Sequence, residues 1–402
     1  MQEKTVQVGV IGLGVRGMSI LKAILLKNPE VRVVAVCDLY EDRAQKAYEL
    51  VSEKYAAPIK TTAYGDVLQN GEVEAVFVIT DWTTHISIAI EAMERGKAVA
   101  MEVGGAYSLE ECWALVNTQE RTGVPFMMLE NCCFDKNELM VTNMVRQGVL
   151  GTVVHCSGSY GHDLRPEIAD GYKNRHYRKD QYLNRNCDNY PTHELGPIAK
   201  ILNINRGNRL VSLVSVASKS VGMKEFVKEK RSEDYTDFLN YEQGDVVTTI
   251  IKCAHGETIL LKLDTTLPRR YDREFRVCGT KGNFNQTLQS VFLDGDDEWA
   301  KTKDVADNLD KYGEYLAPVW KNMTDEQRKT GHGGMDGITV GAFIKALKTG
   351  SEMPVDVYDA ATWMSVSVLS EQSILTGGTV TCPDFTRGKW TLRESKDVIE
   401  LE

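Results

Sequence analysis

Apolar residues come in short, nearly unbroken runs through the first third of the chain: Val6–Ile11, Val31–Cys37, Val73–Ile79, Ala98–Met101 and Pro125–Leu129. Runs of this length suit strands buried on both faces, and the segments between them carry helical spacing, as in Ile86, Ile90 and Met93. Helices are predicted over Asp42–Tyr55, from a Thr84 cap to Gly96, and from Ser108 to Gly123, with Glu111 completing a capping box. Strand and helix in alternation predict a doubly wound parallel sheet.

Beyond residue 151 the rhythm changes. Val153–Tyr160, Leu210–Ser218, Val246–Cys253, Thr258–Thr265 and Glu274–Cys278 read as strands, with turn signals at His255-Gly256 and Lys281-Gly282. Few helices interrupt them, which predicts a largely antiparallel sheet. Asp163–Asp188 reads as a long polar loop of the functional or mobile kind, followed by helices near Glu194–Leu202, Gly341–Lys348 and Val357–Leu375. The expected fold is an N-terminal Rossmann domain, residues 1–135, joined to an α+β domain with an open sheet, residues 136–402. The last helices of the second domain could return to the first.

The first strand runs into Gly12-Leu13-Gly14-Val15-Arg16-Gly17, and the second ends in Asp38. Strand, glycine turn, helix and a later acid form the dinucleotide fingerprint: Gly12 for the turn, Gly14 for backbone approach to a pyrophosphate, Gly17 for helix packing, Asp38 for a ribose diol. Asp38 would repel a 2′-phosphate, which favours NAD over NADP, although Arg43 stands five residues on. Ligands of such sheets sit beyond the carboxyl ends of the strands. Those ends also deliver Asp81, Trp82 and His85, then Glu102 and Val103, then Glu130 and Asn131. These residues, with Gly12, Leu13, Gly14, Arg16, Gly17 and Asp38, are the expected cofactor contacts. His85 serves equally well as a surface residue at a helix start.

At 402 residues, two cores are expected. The net charge of -10 disfavours nucleic acid and anionic membranes as partners and points to a small molecule. Lys228 to Arg231, the densest basic cluster, reads as a solvated segment. No apolar stretch reaches 18 residues, so no membrane-spanning helix is expected. Nine cysteines lack metal or disulfide spacing, so no metal site is expected, and several look like small core residues. A cytoplasmic location follows, or the periplasm or exterior if a leader has been removed. Asp294, Asp296, Asp297 and Glu298 lack the spacing of a calcium loop and read as a turn.

The second half also offers proton-moving groups. Tyr160 and His162 lie two apart at a strand end and share a face. Tyr190 and His193 lie three apart at a helix start and also face one site. His332, among glycines, belongs either to a pocket or to a loop shaped by those glycines, and Asp336 reads as a helix cap ahead of the alternative, a ligand for a sugar hydroxyl.

This arrangement resembles the glucose-fructose oxidoreductase and inositol dehydrogenase-like superfamily. That superfamily carries Glu-Lys-Pro at the end of the fourth strand, its lysine acting as acid/base beside the nicotinamide. Here the stretch reads Glu102-Val103-Gly104, and valine moves no proton. The substitution is similar to that of glycoside hydrolase family 109, as are Leu129–Phe134, Tyr160–Arg165, Tyr190–His193, Leu202–Gly207, Gly331–Asp336 and Pro383–Trp390. Gly104 and Glu194 depart from its pattern. The resemblance implies an NAD-dependent N-acetylgalactosaminidase: tightly bound NAD oxidises C3 of the sugar, a base removes the C2 proton, the aglycone is eliminated, water adds, and the cofactor is regenerated each turnover. It implies catalytic or sugar-contacting roles for Tyr160, His162, Tyr190, His193 and Tyr271, and pairing of copies through the outer face of the second sheet. The alternative is an NAD-dependent sugar oxidoreductase.

Overall fold

The computed structural model describes residues 5–296 and 306–402; Asp297 and Glu298 of the expected acidic turn lie outside them. The chain divides into two compact units. The first comprises Met1–Val103, Ser108–Phe134 and Val319–Ala361, the second Gly104–Tyr107, Asp135–Pro318 and Thr362–Glu402.

In the first unit the apolar runs form strands β1 (Val6–Ile11), β2 (Val31–Cys37), β3 (Ile59–Thr61), β4 (Ala75–Val78), β5 (Ala98–Met101) and β6 (Phe126–Met128). They pair in parallel in the order β3-β2-β1-β4-β5-β6, so the order reverses between β1 and β4, where doubly wound sheets take their ligands. The three-residue β3 and the helix Tyr64–Gln69 have too little periodicity to be read from sequence. Ser108 and Glu111 make the expected capping box, and Gly123 closes that helix in the left-handed region. Thr84 occupies the N-cap position of the helix His85–Glu94 but makes no cap bond; its hydroxyl turns back to Asp81. The helix Met335–Thr349 covers this sheet, placing Phe343 edge-on against Phe77, ring centroids 5.7 Å apart.

The second unit holds β7 (Val153–Gly161), β8 (Leu210–Ala217), β9 (Val246–Cys253), β10 (Thr258–Asp264), β11 (Arg276–Gly279), β12 (Gly282–Asn285), β13 (Ser290–Leu293) and β14 (Val380–Thr381). Their order is β13-β12-β11-β7-β10-β9-β8-β14, antiparallel except for the β7–β10 pair. Alternate residues of β9 and β10, such as Val247, Ile251, Ile259 and Leu261, are buried, while Ile250 is exposed on the other face. The helix Thr192–Ile201 lies against β7 so closely that a Cβ on Gly158 would stand 2.8 Å from Cβ of Glu194.

The expected loop Asp163–Asp188 is not a loop. It contains the helices Arg165–Ala169 and Arg178–Asn184, and it buries Arg178, Lys179, Gln181 and Arg185. Its charges are satisfied by residues distant in sequence: Arg231 pairs with Asp170 at 3.0 Å, and Lys179 donates to Asp237 at 2.9 Å. Arg231, at the end of the basic cluster, is thus engaged, whereas Lys228 and Lys230 are exposed.

Candidate active site

The three glycines of the first turn do different work. Gly12 has φ +95°, and a Cβ there would lie 2.3 Å from the carbonyl oxygen of Ile79. On Gly17 a Cβ would lie 2.0 Å from the carbonyl oxygen of Gly12. Both are demanded by the protein's own packing. Gly14 is extended, and a Cβ there would meet one atom, Arg43 Nη1, at an ordinary 3.7 Å. The fold therefore does not require that glycine, and the space it leaves is bordered by the first backbone N–H groups of the helix Val15–Ala23, a cradle suited to a pyrophosphate. Asp38 is fixed at the end of β2 by the N–H of Leu13 to Oδ2, 2.6 Å, and of Tyr40 to Oδ1, 2.9 Å. Arg43 lies over the Tyr40 ring at 4.9 Å. Donors for phosphate and an acid for ribose hydroxyls together fit a nicotinamide dinucleotide.

The neighbouring strand ends carry the other expected contacts. Asp81 accepts from the N–H of Thr83 at 2.8 Å and so shapes the turn after β4. Trp82, His85 and Val103 are buried; a surface position for His85 is excluded by its complete burial. Glu130 is wholly buried and accepts from the N–H of Cys132 at 3.0 Å.

An ion network joins several of these groups. Arg16 donates through Nε to Glu102, 3.0 Å, and through both terminal nitrogens to Asp336, 2.6 and 3.0 Å. Asn131 donates to Asp336 Oδ1 at 2.8 Å, and His332 Nδ1 lies 2.9 Å from Oδ2. Burial works against the Asp336 carboxylate, but His332 and Arg16 outweigh it and hold the group well below the usual carboxylate range. Asp336 is thus a hub and not the expected cap; no side chain caps that helix. For His332 the structure shows the loop reading: Gly333 and Gly334 have φ +70° and +102°, His332 itself has +49°, and its side chain is half exposed beside Asp336.

In the second unit the five expected Tyr and His residues form one cluster. Tyr160 is the penultimate residue of β7, with its hydroxyl 3.3 Å from His162 Nδ1, and the Tyr190 hydroxyl lies 3.4 Å from His193 Nε2. Ring centroids of Tyr160 stand 4.5 Å from Tyr190 and 5.5 Å from His193, and His162 stands 5.2 Å from Tyr271. A Cβ on Gly161 would strike the guanidinium of Arg269 at 2.3 Å. Arg269 pairs with Asp264 and Glu274, and the N–H of Asp272 donates to the carbonyl of Gly161, which fixes the turn bearing Tyr271.

Arg178 escaped the sequence reading. Its guanidinium lies 5.3 Å over the Tyr190 ring and 2.8 Å from Glu167 Oε1. Burial pushes the Tyr160 hydroxyl well up, with the Arg178 charge opposing; burial and then Arg178 push His162 down. A buried arginine in a stretch rich in charge gives no periodic signal, because solvated arginines have the same spacing.

Comparison with known proteins follows the same division. Residues 6–130 match the oxidoreductase family with an NAD-binding Rossmann fold, and residues 134–392 match the C-terminal domain of glycosyl hydrolase 109. A glycosyl hydrolase family 109 protein of Stenotrophomonas maltophilia is 35% identical over 97% of this chain and 91% of its own. The chain belongs to glycosyl hydrolase family 109. It is also similar to proteins named alpha-N-acetylgalactosaminidase, from Shewanella oneidensis at 36% identity and from Tannerella forsythia at 35%, each over 96% of this chain and covering 86% and 87% of theirs. Among solved structures, levoglucosan dehydrogenase in complex with NADH and levoglucosan superposes with a TM-score of 0.69 at 19% identity, over 95% of this chain and all of that one. Apo scyllo-inositol dehydrogenase from Lactobacillus casei gives 0.68 at 12% identity, over 95% and 99%. At these identities the two dehydrogenases share the fold with this family 109 chain and nothing finer.

Proposed function

We propose that this family 109 glycoside hydrolase cleaves α-N-acetylgalactosaminides by transient oxidation of the sugar, using NAD that stays bound through the cycle. The observation that carries this reading is the cluster Tyr160, His162, Tyr190, His193 and Tyr271, paired with Val103 where related dehydrogenases carry a catalytic lysine. Bound NAD would supply the hydride acceptor for C3 of the sugar and the donor that restores it, with one of Tyr160 and His193 taking the C3 hydroxyl proton and later returning it. Gly12, Gly14, Gly17, Asp38 and Arg16 would hold it, with Leu13, Asp81, Trp82, His85, Glu102, Val103, Glu130 and Asn131 around it.

A ketone at C3 makes the C2 proton acidic. The other of Tyr160 and His193 takes that proton, and the charge developing on the sugar oxygen is opposed by Arg178. As the C1–O bond to the aglycone breaks, the leaving oxygen needs a proton. Tyr271, half exposed at the edge of the cluster, is the group suited to give it. Water then adds at C1, and the base returns a proton to C2.

Hydrolysis of an aryl α-N-acetylgalactosaminide in heavy water should leave deuterium at C2. Aryl release without exchange would refute the elimination. Stoichiometric reduction of added NAD by a free sugar would favour the oxidoreductase alternative. Replacing Tyr271 by Phe should slow poor leaving groups far more than nitrophenol. The functional boundary is placed near residue 135. The outer face of the second sheet, where Val216 and Ile250 are exposed, is taken as the surface that pairs two copies; light scattering tests it.

Among the described residues no helix is long and apolar enough to cross a membrane.

A further inference from the structure

We infer that Glu167 is a positioning residue of the sugar site: its carboxylate fixes Arg178 against Tyr190 and balances the charge that Arg178 presents to Tyr160 and His162. This role depends on the catalytic reading of the Tyr160 cluster given above.

Arg178 is the first residue of its short helix, and its side chain is 9% exposed. A guanidinium does not shed its proton in a protein, so it must be compensated where it lies. Glu167 provides this from the preceding helix, Arg165–Ala169, with Oε1 2.8 Å from Nε. The pairing engages the stem side of the guanidinium, while the same group reaches over the Tyr190 ring. His176 braces the pair from the connecting segment: its Nδ1 accepts from the backbone N–H of Arg178 at 3.2 Å, and its Nε2 lies 3.6 Å from Glu167 Oε1. The two helices are thereby locked where Gly171 passes close to Lys179, a Cβ there standing 2.7 Å from the Cβ of the lysine.

The electrostatic consequence has a definite sign. His162 faces Arg178 and Glu167 from the two helices, Asp163 beside it in sequence, His193 from the helix Thr192–Ile201, and the rings of Tyr160 and Tyr271. Burial and Arg178 drive His162 down, whereas Glu167 and Asp163 draw it back up. Loss of the Glu167 charge therefore moves His162 further down. Packing alone would not produce that movement.

The test is the pH dependence of aryl α-N-acetylgalactosaminide hydrolysis by the parent, Glu167→Gln and Glu167→Asp, with C2 exchange in heavy water measured alongside. We expect Glu167→Gln to lower kcat about 10- to 100-fold, the cost of a displaced catalytic group, with KM changed less and the acidic limb, on which protonation of His162 withdraws the nitrogen 3.3 Å from the Tyr160 hydroxyl, moved to lower pH. Glu167→Asp, which keeps the charge, should restore the limb and part of kcat. Parent kcat and an unmoved limb in Glu167→Gln would overturn the inference. So would a loss of kcat with the limb unmoved, or a fall in melting temperature with normal kinetics. If the parent itself shows no C2 exchange, the elimination reading fails instead, and the two failures are distinct.

Discussion

Replacing Gly14 by Ala should separate the fold from the cofactor site. The residue is already extended, at φ -63° and ψ -169°, so alanine adopts its backbone without strain, and the new methyl meets only ordinary contact. Reduced freedom of the unfolded chain favours the variant by about 0.4–1 kcal/mol. Alanine at this N-cap position costs a comparable amount, about 0.5–1 kcal/mol. The melting temperature of the cofactor-free protein should therefore barely move. The methyl would, however, occupy the space through which a pyrophosphate approaches the backbone. Loss of one charge-assisted hydrogen bond, about 1.5–3 kcal/mol, weakens NAD by roughly 10- to 150-fold. Purified parent should carry NAD with none added, and Gly14→Ala should lose most of it, as read by chromatography of the denatured protein and by calorimetric titration of stripped protein. Gly17→Ala is the contrasting control. Its methyl would lie 2.0 Å from a backbone oxygen, so it should destabilise the fold by about 1–3 kcal/mol or more whether or not NAD is present. A Gly14→Ala protein that binds NAD as tightly as the parent would refute the assignment of that space to the cofactor.

Three further outcomes are expected. Tyr160→Phe removes the hydroxyl beside His162 and should lower kcat by about 10²–10⁴ with NAD content unchanged; near-normal turnover would remove Tyr160 from the chemistry. Arg16→Met leaves the buried Asp336 without its cation and should cost about 3 kcal/mol in denaturant unfolding, a cost partly relieved in Arg16→Met with Asp336→Asn; purely additive effects would show that the pair is not coupled. Glu138 is buried beside Asp135 and Arg273; burial, opposed by Arg273, raises its carboxyl from the ordinary 4.5 to about 8. Between those values the folded chain holds a proton that the unfolded chain has released, so this group's contribution to stability declines as pH rises across the window. Glu138→Gln should flatten the profile of melting temperature from pH 5 to 9, and an unchanged slope would exclude Glu138 as its source.

The nicotinamide half was legible because its signals are local. Buried parallel strands read as continuous apolar runs, and the glycine turn is followed by its acid within one βαβ unit. The sugar half was legible only in part. Tyr160 with His162, and Tyr190 with His193, announce themselves through spacing within one element, and the structure brings Tyr271 to the same cluster. The segment Asp163–Asp188 misled because its helices have five and seven residues, too short for periodicity, and are held by partners such as Asp237 and Arg231 far along the chain. Asp336 looked like a cap because nothing near it in sequence reveals Arg16, 320 positions away. Departures of this kind are tertiary overrides of local preference.

The interrupted composition of the first unit has a consequence for how the molecule is made. Residues Val319–Ala361, which bring Asp336 to Arg16 and Phe343 to Phe77, leave the ribosome only after almost all of the second unit's sheet has been synthesised. The Rossmann sheet must therefore wait, Phe77 without Phe343 and Arg16 without Asp336, for a segment coded roughly three hundred residues after its first strand. A gene truncated after residue 134 would yield an aggregation-prone half-domain, whereas the same piece supplied in trans with residues 319–361 should assemble. Any transplant of the nicotinamide site into another protein has to move both pieces of chain.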